Sequence, residues 1–190
     1  MSTANPISIC SNALTRLGAD PIASFQEDTV HAGVCSRVWP TVRNALLRAH
    51  PWNCATKRVV LAPLSQAPAF DYGYQFQLPS DWLKTLQVGR RGCPISYQQE
   101  GRRLLAGLNA LPLVYIWENT NPGTWDDSMV EVAEVMMAAA IAYTVTASTS
   151  LRDSMNQEAQ FKLKVAKAND GQDQPPEEFP NSALTMARYS

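Results

Sequence analysis

Two histidines, four cysteines and a few close-set charges are the side chains of this sequence with the most chemistry to offer. His31 and His50 fall at opposite ends of one predicted helix. Nineteen residues at about 1.5 Å each separate them by roughly 28 Å, too far to share a metal ion or a catalytic triad within one chain. No Gly-x-Ser-x-Gly elbow, phosphate-binding Gly-rich loop, dinucleotide turn or His-Glu-x-x-His pair occurs. Cys10, Cys35, Cys54 and Cys93 form no Cys-x-x-Cys pair and fit no zinc spacing, so reduced and mostly buried thiols are expected. Asp126 and Asp127 are adjacent, point apart on a helix and suit a helix N-terminus better than acid–base chemistry. The expectation is a protein without catalytic residues, cofactor or metal, and not an enzyme.

Two arginine pairs stand out. Arg90-Arg91 and Arg102-Arg103 bracket Cys93 to Glu100, and pairing of Leu86–Val88 with Arg102–Leu105 would gather four guanidiniums at a hairpin base. Such a cluster would face nucleic acid or an acidic partner, or simply mark a solvated edge. Trp39, Trp52 and Trp82 suit core packing. Trp117 and Trp125 flank a loop, and either anchor it or line a cleft.

These side chains need elements to hold them. Asn5 and Pro6 open a helix whose face is Cys10, Ala13, Leu14 and Leu17, closed by Gly18. A second helix, capped by Asp28, carries Val30, Val34, Val38, Val42 and Leu46, is kinked at Pro40 near Ser36–Trp39, and ends at His50-Pro51. Tyr74, Phe76 and Leu78 alternate with Gln75 and Gln77 as a half-buried strand. Leu83–Val88, Pro94–Gln98, Arg102–Leu105 and Leu113–Trp117 read as further strands, punctuated by glycines.

A long helix over Asp127–Ser148 has Val132, Val135, Met136, Ala139, Ala140, Tyr143 and Ala147 on its core face and is apolar on the other side as well. Its apolar run, Val135–Val145, is shorter than a bilayer span, and no membrane contact is expected. A last helix over Leu151–Asn169 ends at Gly171. No basic-apolar leader is read at the N-terminus.

The fold class expected is mainly α with a small antiparallel β insertion, an α+β arrangement. Residues 1–56 and 122–171 form a bundle of about four helices, and 57–121 an inserted β-rich subdomain. Residues 172–190 form an extended C-terminal tail with Phe179, Leu184, Met186 and Tyr189 as spaced apolar pegs. Of the 190 residues, 45% are hydrophobic and 17% charged, against about 25% charged in ordinary soluble domains. So few charges suit a chain that covers its surface with neighbours. A net charge of -1 excludes a globally basic nucleic-acid binder.

The segment Leu46-Leu47-Arg48-Ala49-His50-Pro51-Trp52-Asn53-Cys54-Ala55, followed by the basic strand Thr56-Lys57-Arg58, resembles the head–tail adaptor proteins of tailed bacteriophages, of the tail tubular protein A type. Ile9–Gly18, Phe76-Gln77-Leu78-Pro79-Ser80-Asp81-Trp82-Leu83, the small-residue helix Val132–Ala147 and Ser182–Arg188 follow in the family's order. Cys54 stands where that family usually has Phe, and Ala183 where it usually has Trp.

The resemblance implies a ring, usually of twelve subunits, below the portal, in the virion after synthesis in the host cytoplasm. A bundle forms the wall, a β-rich insertion faces the downstream tail or nozzle protein, and terminal segments grip the portal. Genomic DNA passes through without sequence-specific binding. Under it, His50, Pro51, Trp52 and Asn53 form a motif core. The tail residues Phe179, Leu184, Met186, Arg188 and Tyr189 dock on the portal, and Arg90, Arg91, Arg102 and Arg103 face channel or tail. Two other readings remain: a helical binding module or enzyme accessory subunit using a Trp117–Trp125 cleft, and a DNA-binding regulator using the arginines.

Overall fold

The computed structural model describes residues 4–173. Its architecture is α+β: four helices and a small antiparallel β region between the second and third. The Asn5 side chain accepts from the amides of Ile7 and Ser8, while the Ser8 hydroxyl accepts from the Asn5 amide. Helix α1 (Pro6–Arg16) follows. It buries Cys10, Ala13 and Leu14, with Leu17 at its C-cap and Gly18 at φ 73° beyond.

Helix α2 (Val30–Arg48) is capped by the Thr29 hydroxyl, which accepts from the Ala32 amide, and not by Asp28. Its buried residues start at Ala32; Val30, on the first turn, is 78% exposed. Pro40 is exposed and α2 continues through it. On that side water can serve the carbonyl that loses its amide partner.

Seven strands follow among the described residues: β1 (Thr56–Leu61), β2 (Tyr74–Gln77), β3 (Trp82–Arg90), β4 (Cys93–Pro94), β5 (Tyr97–Glu100), β6 (Arg103–Ala106) and β7 (Leu111–Trp117). They form one sheet of order β1-β7-β3-β4 and another of order β2-β6-β5, antiparallel throughout. The expected pairing of Leu86–Val88 with Arg102–Leu105 does not occur. Val88 lies opposite Leu113, and Leu105 opposite Gln75 and Gln98. Gly92 (φ 77°) and Gly101 (φ 57°) sit in two tight turns, Arg90–Cys93 and Glu100–Arg103. Two short closures cost less chain entropy than one spanning the whole segment.

The alternation expected in β2 holds from Phe76 to Leu78 and fails at Tyr74 and Gln75. Tyr74 is 38% exposed while Gln75 is buried, because the Gln75 amide donates to Gln66 O and accepts from Arg103. A satisfied amide tolerates the interior.

The two sheets enclose one core, with Leu61, Val88, Leu111, Leu113 and Tyr115 facing Phe76, Leu104 and Ala106. Ile116 points the other way and joins the helical core. Successive side chains of a strand alternate faces, so β7 ties the two cores together.

Helix α3 (Asp127–Thr146) is apolar all round and buries Val132, Ala133, Val135, Met137, Ala138, Ala139, Ile141 and Ala142. Helices α1, α2 and α4 (Thr149–Gln172) pack on it. The expected core face is corrected at Ala140, Tyr143 and Ala147, which are exposed; a helix without a polar side gives no cue to which stripe stays open. Ala147 leaves the helix at φ 54° as its C-cap. The membrane-span expectation also changes. The 20-residue helix, with mean hydropathy 1.5 over an 18-residue stretch, is long and apolar enough to cross a bilayer, although half of that stretch is buried in the fold. Helix α4 is capped by Ser148 and runs through Gly171 to Gln172, further than expected.

Asp126 caps α3 by accepting from the amide and hydroxyl of Ser128. The Ser128 hydroxyl first, then nearby amides, hold this carboxyl below its usual pKa against a smaller push from desolvation. The folded state thus lowers the pKa. The stabilisation is complete above the unfolded value of about 3.9 and is lost as pH falls through the folded one. Asp126→Ala should cost about 1 kcal/mol at pH 7, and less at pH 2. Urea unfolding at both pH values reads the difference; equal costs would show that the charge on Asp126 plays no part.

Candidate functional site

The motif His50-Pro51-Trp52-Asn53 sits where α2 ends and the chain turns into β1. Pro51 keeps its predecessor out of helix, so the helix stops at Arg48 with Ala49 as C-cap. Trp52, 1% exposed, turns back and donates Nε1–H to Leu46 O at 2.8 Å. His50 meets its indole edge-on with ring centres 4.9 Å apart. Asn53 then reaches the far end of the chain: its amide donates to Asp170 Oδ1 at 3.1 Å and its Nδ2 to Asp170 O at 3.0 Å. His50 Nε2 stands 3.3 Å from Asp170 Oδ2. The motif is a clasp that fastens the last turn of α4, three residues before the end of the described chain.

A second tie joins another pair of motif segments. Lys57, in the basic strand after the clasp, donates to Asp81 Oδ2 at 2.8 Å, and Tyr115 OH donates to Asp81 Oδ1 at 3.1 Å. Lys57 Nζ also lies 3.6 Å from the ring centre of Trp117. Desolvation pushes the Asp81 carboxyl up, but the bonds from Lys57 and Tyr115 outweigh it and hold the group below its usual range. Burial first, then the bond to Asp81, pushes the Tyr115 phenol up to about 12. Each group of this cluster is thus occupied by another member of it.

The Trp117–Trp125 segment is filled by its own contacts. Asn119, 1% exposed, donates to Cys54 O and Thr124 Oγ1, both at 2.9 Å. Trp125 stacks on Trp39 with ring centres 6.2 Å apart. Glu118 takes the Arg43 guanidinium and the Asn44 amide. Trp39 and Trp52 are core residues as expected, whereas Trp82 is only partly buried.

The four arginines belong to two sheets. Arg90 and Arg91 lie at the β3–β4 turn, and Arg102 and Arg103 at the β5–β6 turn. Arg102 donates to Pro79 O and Ser80 O, and Arg103 to Gln75 Oε1. Gly89 (φ 90°) shapes the first turn, where a Cβ would fall 2.8 Å from the Ile95 side chain.

The cysteines are all unpaired; Cys10 and Cys35 are buried, Cys93 is exposed. A hydrogen bond between Cys10 and Cys35, reinforced by burial, pushes the Cys10 thiol up, and the same bond pulls Cys35 down. Burial above all pushes Cys54 up to about 11, the wrong direction for a nucleophile at neutral pH. Among the described residues no three His, Cys, Asp or Glu side chains converge as a metal site.

Two open grooves remain notable. One, of about 290 Å³, runs between α2, α3 and α4 over Val42, Ala45, Met136, Ala139, Ala140 and Leu163. The other, of about 440 Å³, crosses the four-stranded sheet beside Arg58, Arg90 and Arg91. Tyr143 and Phe161 are also 56% and 64% exposed. The tail positions Phe179, Leu184, Met186, Arg188 and Tyr189 lie outside the described residues. Asp170 and Arg58 were not singled out from sequence; a lone Asp near a helix end and one Arg in a basic strand carry no signal of their own. No family model matches the chain, and no curated protein matches it.

Proposed function

We propose that this chain is a structural head-to-tail adaptor of a tailed bacteriophage. Its copies form a ring below the portal, twelvefold in the related assemblies. The ring joins capsid to the downstream tail or nozzle protein and lines the channel for DNA, and the protein acts as a joint and not as an enzyme. The observation that carries this reading is the clasp. The residues that resemble the adaptor motif are spent on internal fastening, and what they fasten is the helix end from which the tail departs. A tail that must find a portal site gains from a fixed root, because each degree of freedom removed beforehand lowers the ordering cost of binding.

The open surface adds support. A ring subunit needs apolar contact surface for its neighbours, and the open groove on the helices supplies such a surface. The low charge content points the same way.

Native mass measurement of the full chain mixed with its cognate portal ring tests the reading. The expected product is a portal carrying one closed ring of this chain. A chain that stays free of the portal at every mixing ratio would overturn the proposal.

A further inference from the structure

The open half of the four-stranded sheet carries positive charge that its own surroundings do not neutralise. Arg58 and Arg90 are exposed, and neither side chain has an ion pair or hydrogen bond among the described residues. With Arg91 they rim the groove floored by Val60, Pro112 and Val114. These residues share one face: Arg58 lies opposite Val114 and Val60 opposite Pro112. Further along that face, Ile116 is sealed by the helices. Beyond it the cover stops, and Val60 is 65% exposed.

The chain holds a segment of complementary chemistry. Asp173, Glu177 and Glu178 precede Phe179, and no Lys or Arg occurs from Gly171 to Pro180. The root of that segment is fixed near the groove. Asp170 is bonded to Asn53, and Arg58 is five residues further along the same strand entry, at most about 18 Å away. From Asp170 to Glu178 there are three helical steps and five beyond the helix, a maximum reach of about 22 Å. Attraction between opposite charges at the rim and burial of an aromatic ring on the apolar floor would act together.

We propose that Glu177, Glu178 and Phe179 dock within their own chain in this groove, the carboxylates at Arg58 and Arg90 and the ring over Val60 and Val114. The contact uses Phe179 and leaves Leu184, Met186, Arg188 and Tyr189 for the portal, so its failure would leave the adaptor reading intact, and portal binding would not establish it.

Backbone ¹⁵N relaxation on the full chain at low salt tests it. The Glu177, Glu178 and Phe179 amides should show order parameters near ~0.8, falling below ~0.6 in Arg58→Glu/Arg90→Glu. Glu177→Arg/Glu178→Arg should loosen them equally, and combining both reversals should restore the order. Unchanged amide shifts in α1 and α3 verify that each variant is folded. Mobile amides in the native chain, no response to the arginine reversals, or no rescue by the combined swap would overturn the proposal. Order that rises with protein concentration would also overturn it, because the occupant would then come from a second copy.

Discussion

Trp52→Ala should lower the unfolding free energy by about 3–5 kcal/mol. Trp52 is among the largest fully buried side chains of the chain. Its removal leaves a void the size of an indole and takes one of two donors from Leu46 O, which keeps the Ala49 amide. The loss also travels. His50 would lose the ring it packs against, and Asn53, the next residue, would hold Asp170 less firmly. Hydrogen exchange in the last turn of α4 should therefore speed up more than exchange in α1. Trp52→Phe retains most of the volume and loses the indole N–H, so about 1–2 kcal/mol is expected from the lost hydrogen bond and a smaller void. Urea unfolding measures both. A cost below about 1 kcal/mol for Trp52→Ala, far under the range for deleting a buried aromatic, would show that the motif is not the clasp described here.

Ala138→Asp and Ala140→Asp should part company completely. Both sit on the apolar helix α3, two residues apart. Ala138 is fully buried, whereas Ala140 is exposed at the edge of the helical groove. An unpaired carboxylate at position 138 costs several kcal/mol by desolvation, a large share of the roughly 5–15 kcal/mol that holds a domain folded. The variant should lose cooperative unfolding at neutral pH. At position 140 the same change should stay within about 0.5 kcal/mol of the native chain. If the groove is a subunit joint, Ala140→Asp should leave the isolated chain folded and still prevent ring formation on the portal. Circular dichroism melts read the first contrast and native mass measurement the second. A stable Ala138→Asp would mean that α3 is less enclosed than its packing indicates.

Local chemistry was readable wherever neighbours in sequence are neighbours in space. Asn5 ahead of Pro6 at the first turn, Gly18 beyond the last and Asp126 at the head of α3 mark helix ends, and such a mark is decided within four residues. The stripe Cys10, Ala13, Leu14 and Leu17 was readable for the same reason, since one face of a helix repeats within two turns. The end of α2 followed from the conformational bias that Pro51 imposes. The α+β class followed from the switch in period after Lys57.

Pairing and enclosure were decided by the tertiary structure. The arginine hairpin failed because strand partners are chosen by closure entropy and by which faces bury together, and Gly92 and Gly101 made two local turns cheaper than one long one. On α3 the sequence offers apolar side chains all round, so only the placement of α1, α2 and α4 determines that Ala138 is sealed and Ala140 is open. Asp170 meets Asn53 across 117 positions, and no periodicity or motif can announce a partner at that range. The sequence by itself determined the heads of α1 and α3 and the end of α2, because those choices are short-range. Which side chains form the clasp, and which surfaces stay uncovered, are long-range packing outcomes that required the folded chain.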